Sequence, residues 1–239
     1  MLRWLFIATS CDIVDLQKQL TSKRVETNMN DSTQSSAPLL YCWFDLEFTD
    51  LDPAKAHILQ VAMLITDVHL QPVLPDDAGL NLIVRLDDQA IVSGWVQENL
   101  ADLLGQCRQD DAISPDSVQA LLLAYLSKAG GTGIEEIKER PVLAGNSVHA
   151  DWRLACMHYP DLITQLTYRL LDVSTLKQQW TGWWQQPEFD KEDAGLVERN
   201  LPFPATHLAG KPHDAYYDIL ASIAELHYYR RQLRLAIDS

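Results

Sequence analysis

The stretch Trp43-Phe44-Asp45-Leu46-Glu47-Phe48 decides how this chain is read. It is an apolar run broken by two carboxylates one residue apart. Side chains alternate across a strand, so as a strand it sends Asp45 and Glu47 to one face and packs Phe44, Leu46 and Phe48 on the other. Unpaired buried carboxylates are costly, and a bound divalent cation is the compensation that also does chemistry. Taken alone, a D-x-E pair more often marks a strand end where two acids reach water. The rest of the chain has to decide between these readings.

Outward from this stretch, Leu39 to Phe48 reads as the first strand. After a turn at Thr49-Asp50-Leu51-Asp52-Pro53, residues Ile58 to Val68 are apolar on both faces. Leu59, Val61, Met63 and Ile65 fall on one face and Ile58, Ala62 and Leu64 on the other, the pattern of a central strand. Leu80 to Leu86 reads as a third strand, which places the acid pair at the head of a β-meander. Trp95 to Gln106 reads as helical. Ser114-Pro115 opens a clearer helix with its stripe at Val118, Leu121, Leu122 and Tyr125, stopped by Gly130-Gly131. A short strand at Pro141–Ala144 runs into Gly145-Asn146-Ser147, and Asp151 opens the next helix. Arg169 to Val173 reads as a strand followed by a helix from Ser174. Residues 181 to 212 read as irregular, and Asp214 to Leu235 as a long helix with His213 just ahead of it and Asp218 in its first turns. Strands followed by alternating helices and strands make an α/β protein with a mixed sheet flanked by helices. In such a sheet, strand ends and helix starts converge on one crevice.

With 239 residues, 47% hydrophobic and 22% charged, the chain fits one generous domain, and it has no apolar run long enough to cross a bilayer. A net charge of −14 argues against gripping long duplex nucleic acid through a broad basic surface, because that binding needs many Lys and Arg contacts to phosphate. A nuclease with a small substrate is compatible with it, since bound metals supply the positive field locally. The four cysteines, Cys11, Cys42, Cys107 and Cys156, form no C-x-x-C pair, which suits a reducing cytoplasm. The Met1–Ala8 patch is too short for a confident signal peptide, and residues 21 to 38 turn polar. Residues 1–38 therefore read as a flexible leader or a misassigned start, with Met29 a natural start ahead of the folded domain.

Four blocks carry a resemblance. Trp43-Phe-Asp-Leu-Glu-Phe-Thr-Asp-Leu-Asp-Pro53, Ala144-Gly-Asn-Ser-Val-His-Ala-Asp151, Tyr168-Arg-Leu-Leu-Asp-Val-Ser-Thr-Leu-Lys177 and His213-Asp-Ala-Tyr-Tyr-Asp218 stand in the order found in oligoribonuclease, and the chain resembles that family of DEDDh 3′-to-5′ exonucleases over residues 39 to 235. The resemblance implies an RNase H-like exonuclease domain over residues 39–239. It implies two divalent cations, Mg²⁺ or Mn²⁺, held by Asp45, Glu47, Asp151 and Asp218, with His213 as general base. It further implies Leu51 as a wedge between two bases, and Ser147, Tyr168, Arg169 and Ser174 around the 5′ phosphate of a very short single-stranded oligoribonucleotide. Trp95 matches a base-stacking aromatic, though a core tryptophan fits it equally well. A homodimer is implied too. The chain departs from the family at Asp50, where glycine is usual, at Leu100, where a histidine is expected, and at Ala150, where a glutamine is expected. These departures spare the metal centre and bear on the substrate. Longer RNA, short DNA, or a non-catalytic nucleotide-binding role remain the competing readings.

Overall fold

The computed structural model describes residues 38–74, 79–204 and 211–237. The leader expected over residues 1–38 lies, save its last residue, outside them.

Strand β1 (Tyr41–Phe48) sits at the middle of a five-stranded sheet, and the opening stretch is buried on both sides. β1 pairs antiparallel with β2 (Ile58–Thr66), which pairs antiparallel with β3 (Leu80–Ile83); this is the expected meander. On its other edge β1 pairs parallel with β4 (Val142–Gly145), and β4 with β5 (Leu170–Asp172), giving the order β3-β2-β1-β4-β5. The sheet is mixed and flanked by helices, as the sequence pattern requires.

Alternation along β1 feeds two cores. Cys42, Phe44 and Leu46 join Val118, Leu122 and Leu126 of helix α3 (Pro115–Lys128) on one face. Trp43 points the other way, into a cluster with Tyr217, Leu220 and Ile223 of helix α8 (Ala215–Ile237), and its indole N–H donates to Thr66 Oγ1 at 2.9 Å. Asp45 and Glu47 share that α8-facing side. β2 is buried along its whole length, but its two faces differ from simple alternation at one end. Glu47 pairs with Gln60 and Phe48 with Ile58, so Leu59 is an extra residue in a β-bulge. Ile58 consequently packs with Val61 and Met63, while Leu59 joins a third cluster under helices α1 (Gly94–Asn99) and α2 (Ala101–Gln106).

Several boundaries move for local reasons. β2 stops at Thr66 because the Asp67 carboxylate accepts the N–H groups of His69 and Gln71 and closes a turn there. β3 ends at Ile83, with Val84 making only an isolated bridge to Ile113. The helix expected over Trp95–Gln106 is broken at Leu100, whose φ of −119° and ψ of 30° are not helical. α4 (His149–His158) follows β4, and two short elements, a 3₁₀ turn at Ile137–Glu139 and α5 (Pro160–Thr164), had no clear periodic signal. α6 (Val173–Gly182) follows β5 as anticipated. Residues 181 to 212 are not wholly irregular: Asp193 caps α7 (Ala194–Asn200) through the Leu196 N–H. Phe189, with 2% of its surface exposed, anchors the preceding strand of chain in the α8-side core.

Candidate active site

β4 is shorter than β1, and the site forms where it stops. The parallel pairing ends at Trp43 opposite Ala144, so farther along that edge the β1 backbone needs other partners. Asp151, in the first turn of α4, supplies one: its Oδ1 accepts the Leu46 N–H at 3.1 Å. A carboxylate from α4 is thereby fixed between Asp45 and Glu47 in the chain direction of β1. Gly145 permits this close turn, since a Cβ there would stand 3.1 Å from the Phe44 carbonyl oxygen.

Asp218 reaches the same place from the first turn of α8. Its Oδ2 accepts the His213 N–H at 3.0 Å, which holds His213 in the left-handed region at φ 67°. One carboxylate or ring atom from each of Glu47, His213 and Asp218 lies within 4.8 Å of the others. The start of α8 is capped by Asp214, whose Oδ1 accepts the N–H groups of Tyr216 and Tyr217. Trp95 stands edge-on to the His213 ring at 5.2 Å between centroids and is about half exposed.

The four acids are held together at an electrostatic cost. Burial pushes Glu47 up to about 8, with the charges of Asp218, Asp151 and Asp214 adding to it. Asp151 is pushed up to about 7 by burial, against the pull of the backbone N–H bonds it accepts. Asp45 lies well above the usual carboxylate range through burial and the neighbouring charges of Asp151, Asp218 and Glu47. Asp218 is raised by burial and partly restrained by Lys191 and the His213 N–H bond. Four oxygen-donor side chains that repel one another are a donor set that fits hard divalent cations.

A second cluster lies at the β4–α4 and β5–α6 connections. Ser147, at φ 51°, donates its N–H to both Asp172 Oδ1 and Ser174 Oγ at 2.9 Å, and the two serine hydroxyl oxygens are 3.3 Å apart. Tyr168 and Arg169 stand together at the entry to β5, the guanidinium 5.5 Å from the ring centre, with Tyr168 67% exposed. Leu51, 88% exposed, projects from the β1–β2 turn. Of the departures, Asp50 Oδ1 accepts the Asp52 N–H and shapes that turn. Leu100 is buried yet lines, with His213, Asn99 and Lys211, a cleft of about 250 Å³. Ala150 lies in the first turn of α4.

Three residues of the site were not singled out from the sequence. Gln60 is buried on β2, where its Oε1 accepts the Ala215 N–H and its Nε2 donates to Asn81, tying the start of α8 to the sheet. Lys191 lies in the stretch expected to be irregular. Its carbonyl accepts the Tyr217 hydroxyl at 2.7 Å, and its charge counteracts the repulsion on Asp45 and Asp218. Asp172 sits inside a quoted block, but its role of gathering the Ser147 and Ser174 N–H groups depends on two connections meeting in space.

No family model matches the chain. A protein of Schizosaccharomyces pombe described as a probable oligoribonuclease is 30% identical over 234 residues, covering 92% of this chain and 82% of that protein. The oligoribonuclease of Photorhabdus laumondii is 32% identical over 190 residues, covering 79% of this chain and 92% of its own. Among solved structures, that of cell-death related nuclease 4 superposes with a TM-score of 0.56 over 82% of this chain and 66% of that chain at 17% identity, a likeness of fold alone. The RNase H-like mixed sheet is thus shared with a nuclease of remote sequence, whereas the likeness to oligoribonucleases runs through the sequence along most of both chains, and the protein belongs to the oligoribonuclease family of 3′-to-5′ exoribonucleases.

Proposed function

We propose that this chain is a metal-dependent hydrolase that removes nucleotides from the 3′ end of dinucleotides and very short oligoribonucleotides, releasing nucleoside 5′-monophosphates. The observation that carries the reading is the convergence of four mutually repelling carboxylates with an imidazole at their edge. Asp45, Glu47, Asp151 and Asp218 would hold two divalent cations, Mg²⁺ or Mn²⁺. Bound cations supply charge that activates water and stabilises the attacking and leaving oxygens of an in-line displacement. His213 accepts the proton of the attacking water, a task suited to an imidazole near neutral pH. Its backbone N–H, donated to Asp218, ties it to the acids.

Leu51 wedges between the two bases and Trp95 stacks beside one of them. Ser147, Tyr168, Arg169 and Ser174 surround the 5′ phosphate, so a longer strand, which has no terminal phosphate at that point, loses those charge-assisted bonds. The protein acts as a homodimer in the cytoplasm; the unpaired thiols of Cys42, Cys107 and Cys156 suit a reducing compartment. Among the described residues no helix is long and apolar enough to cross a membrane. Residues 39–239 form the exonuclease domain.

The test is release of monophosphates from a 5′-phosphorylated diribonucleotide. Activity should vanish with EDTA and in Asp45→Ala and His213→Ala; full activity in those variants sinks the assignment. Leu100, lining the cleft beside His213, together with Asp50 and Ala150, favours a second reading in which longer RNA or short DNA is the substrate. Rates on two-, five- and ten-nucleotide RNA and DNA separate the two.

A further inference from the structure

Behind the serine pair lies a part-buried hydrogen-bond chain that neither the carboxylate cluster nor the family blocks explain. Glu225, on the third turn of α8, is wholly buried. Its Oε1 accepts the Tyr229 hydroxyl at 2.8 Å and its Oε2 accepts Asn146 Nδ2 at 2.8 Å. A carboxylate only accepts, so the Asn146 amide must turn its NH₂ toward α8. The second amide proton goes to Ser222 Oγ at 2.9 Å, and that hydroxyl in turn donates to the Asp218 carbonyl at 2.7 Å. With its NH₂ committed, Asn146 presents Oδ1 in the opposite direction, where it accepts the Ser174 hydroxyl at 3.1 Å. Ser174 Oγ then receives the Ser147 N–H.

The chain therefore runs without a gap from the helix that carries Asp218 to the two serines. Residues 76 and 79 positions apart in sequence are bound to a single amide. Burying a charge is costly, and one that is fully hydrogen-bonded fixes geometry at that cost.

We infer that Asn146, oriented by Glu225 and Ser222, is a positioning residue that sets the Ser174–Ser147 pair at a fixed distance from the carboxylates on β1 and α8. It joins the two ends of a molecular ruler: the terminal phosphate of the substrate at the serines and the scissile phosphate at the acids. The inference rests on the reading of Ser147 and Ser174 as contacts to a 5′ phosphate. Glu225 and Asn146 touch no substrate; they act through the serines.

Glu225→Gln keeps the shape but gives position 225 an amide that both donates and accepts, so the direction of the Asn146 amide is no longer dictated. Steady-state kinetics with Mn²⁺ on diadenylate with and without a 5′ phosphate reads the consequence. The variant should raise KM about ten-fold on the phosphorylated substrate, leave KM on the 5′-hydroxyl substrate within two-fold, and leave kcat unchanged on both. On a Ser147→Ala/Ser174→Ala background the same substitution should add nothing, because its path is already cut. Should Glu225→Gln not fold, Ser222→Ala removes the other acceptor of the same amide and should give the same pattern at smaller size. An unchanged preference for the 5′ phosphate in a folded variant, or effects that multiply with the serine substitutions, overturns the inference. If the unaltered protein itself ignores the 5′ phosphate, the serine reading fails and the inference falls with it.

Discussion

Replacing Asp151 by asparagine should make the metal-free protein more stable while abolishing its activity. Asp151 is buried, and its carboxyl is raised from an ordinary 3.8 to about 7. At about 1.4 kcal/mol per pK unit, holding the charge at pH 8 costs about 4 kcal/mol. Asparagine keeps the Oδ1 that accepts the Leu46 N–H and sheds the charge, at the expense of burying an amide. A net gain of about 1–3 kcal/mol is expected, or a rise in Tm of about 3–10 °C for a domain of this size. The sign follows from proton binding. The folded state holds the proton more tightly than the unfolded one, so the contribution of Asp151 to stability is fully present below about pH 4 and is lost as pH climbs to about 7. The gain from Asp151→Asn should therefore be small at pH 4 and full at pH 8. Thermal unfolding in EDTA across that range is the assay, repeated with Mn²⁺, which should stabilise the unaltered protein and reverse the order. A variant no more stable than the parent at pH 8, or a difference that does not change with pH, would refute the electrostatic account of the site.

His213→Ala should lower kcat by about 10²–10⁴-fold with little change in melting temperature, since the side chain is exposed and Asp214 caps the helix; kinetics and calorimetry on one preparation check both. Mn²⁺ affinity measured by calorimetry should strengthen from pH 5.5 to pH 8, because cations compete with protons held by Glu47 and Asp151, and an affinity flat in pH would contradict the raised carboxyls. Leu51→Ala should raise KM for a dinucleotide while changing stability by less than about 0.5 kcal/mol, as expected for a side chain 88% exposed. Gly145→Ala should destabilise the fold by about 1–3 kcal/mol in urea titrations, since the added Cβ meets the Phe44 carbonyl of the neighbouring strand.

The central strand, the meander and the long final helix are legible along the chain. Each rests on a local regularity: period-two apolar alternation in β1, unbroken apolarity in β2, and a helical stripe through Ile219, Ile223 and Leu226. The acids and His213 were legible because the four blocks that carry them resemble those of a known family and stand in its order. How those blocks meet depends on the folded chain. A bulge at Leu59 breaks the alternation of β2 without any glycine or proline to mark it, because the register belongs to the pairing with β1. β4 stops short of β1, which opens the edge that Asp151 fills. Gln60, Lys191, Asp172 and Glu225 carry no spacing that singles them out, since each works through a partner at least 25 residues away or through the summed field of several charges. A sequence displays periodicity and short motifs, both properties of neighbours along the chain. The orientation of a half-buried amide or the pK of a clustered acid is set by groups that only folding brings together.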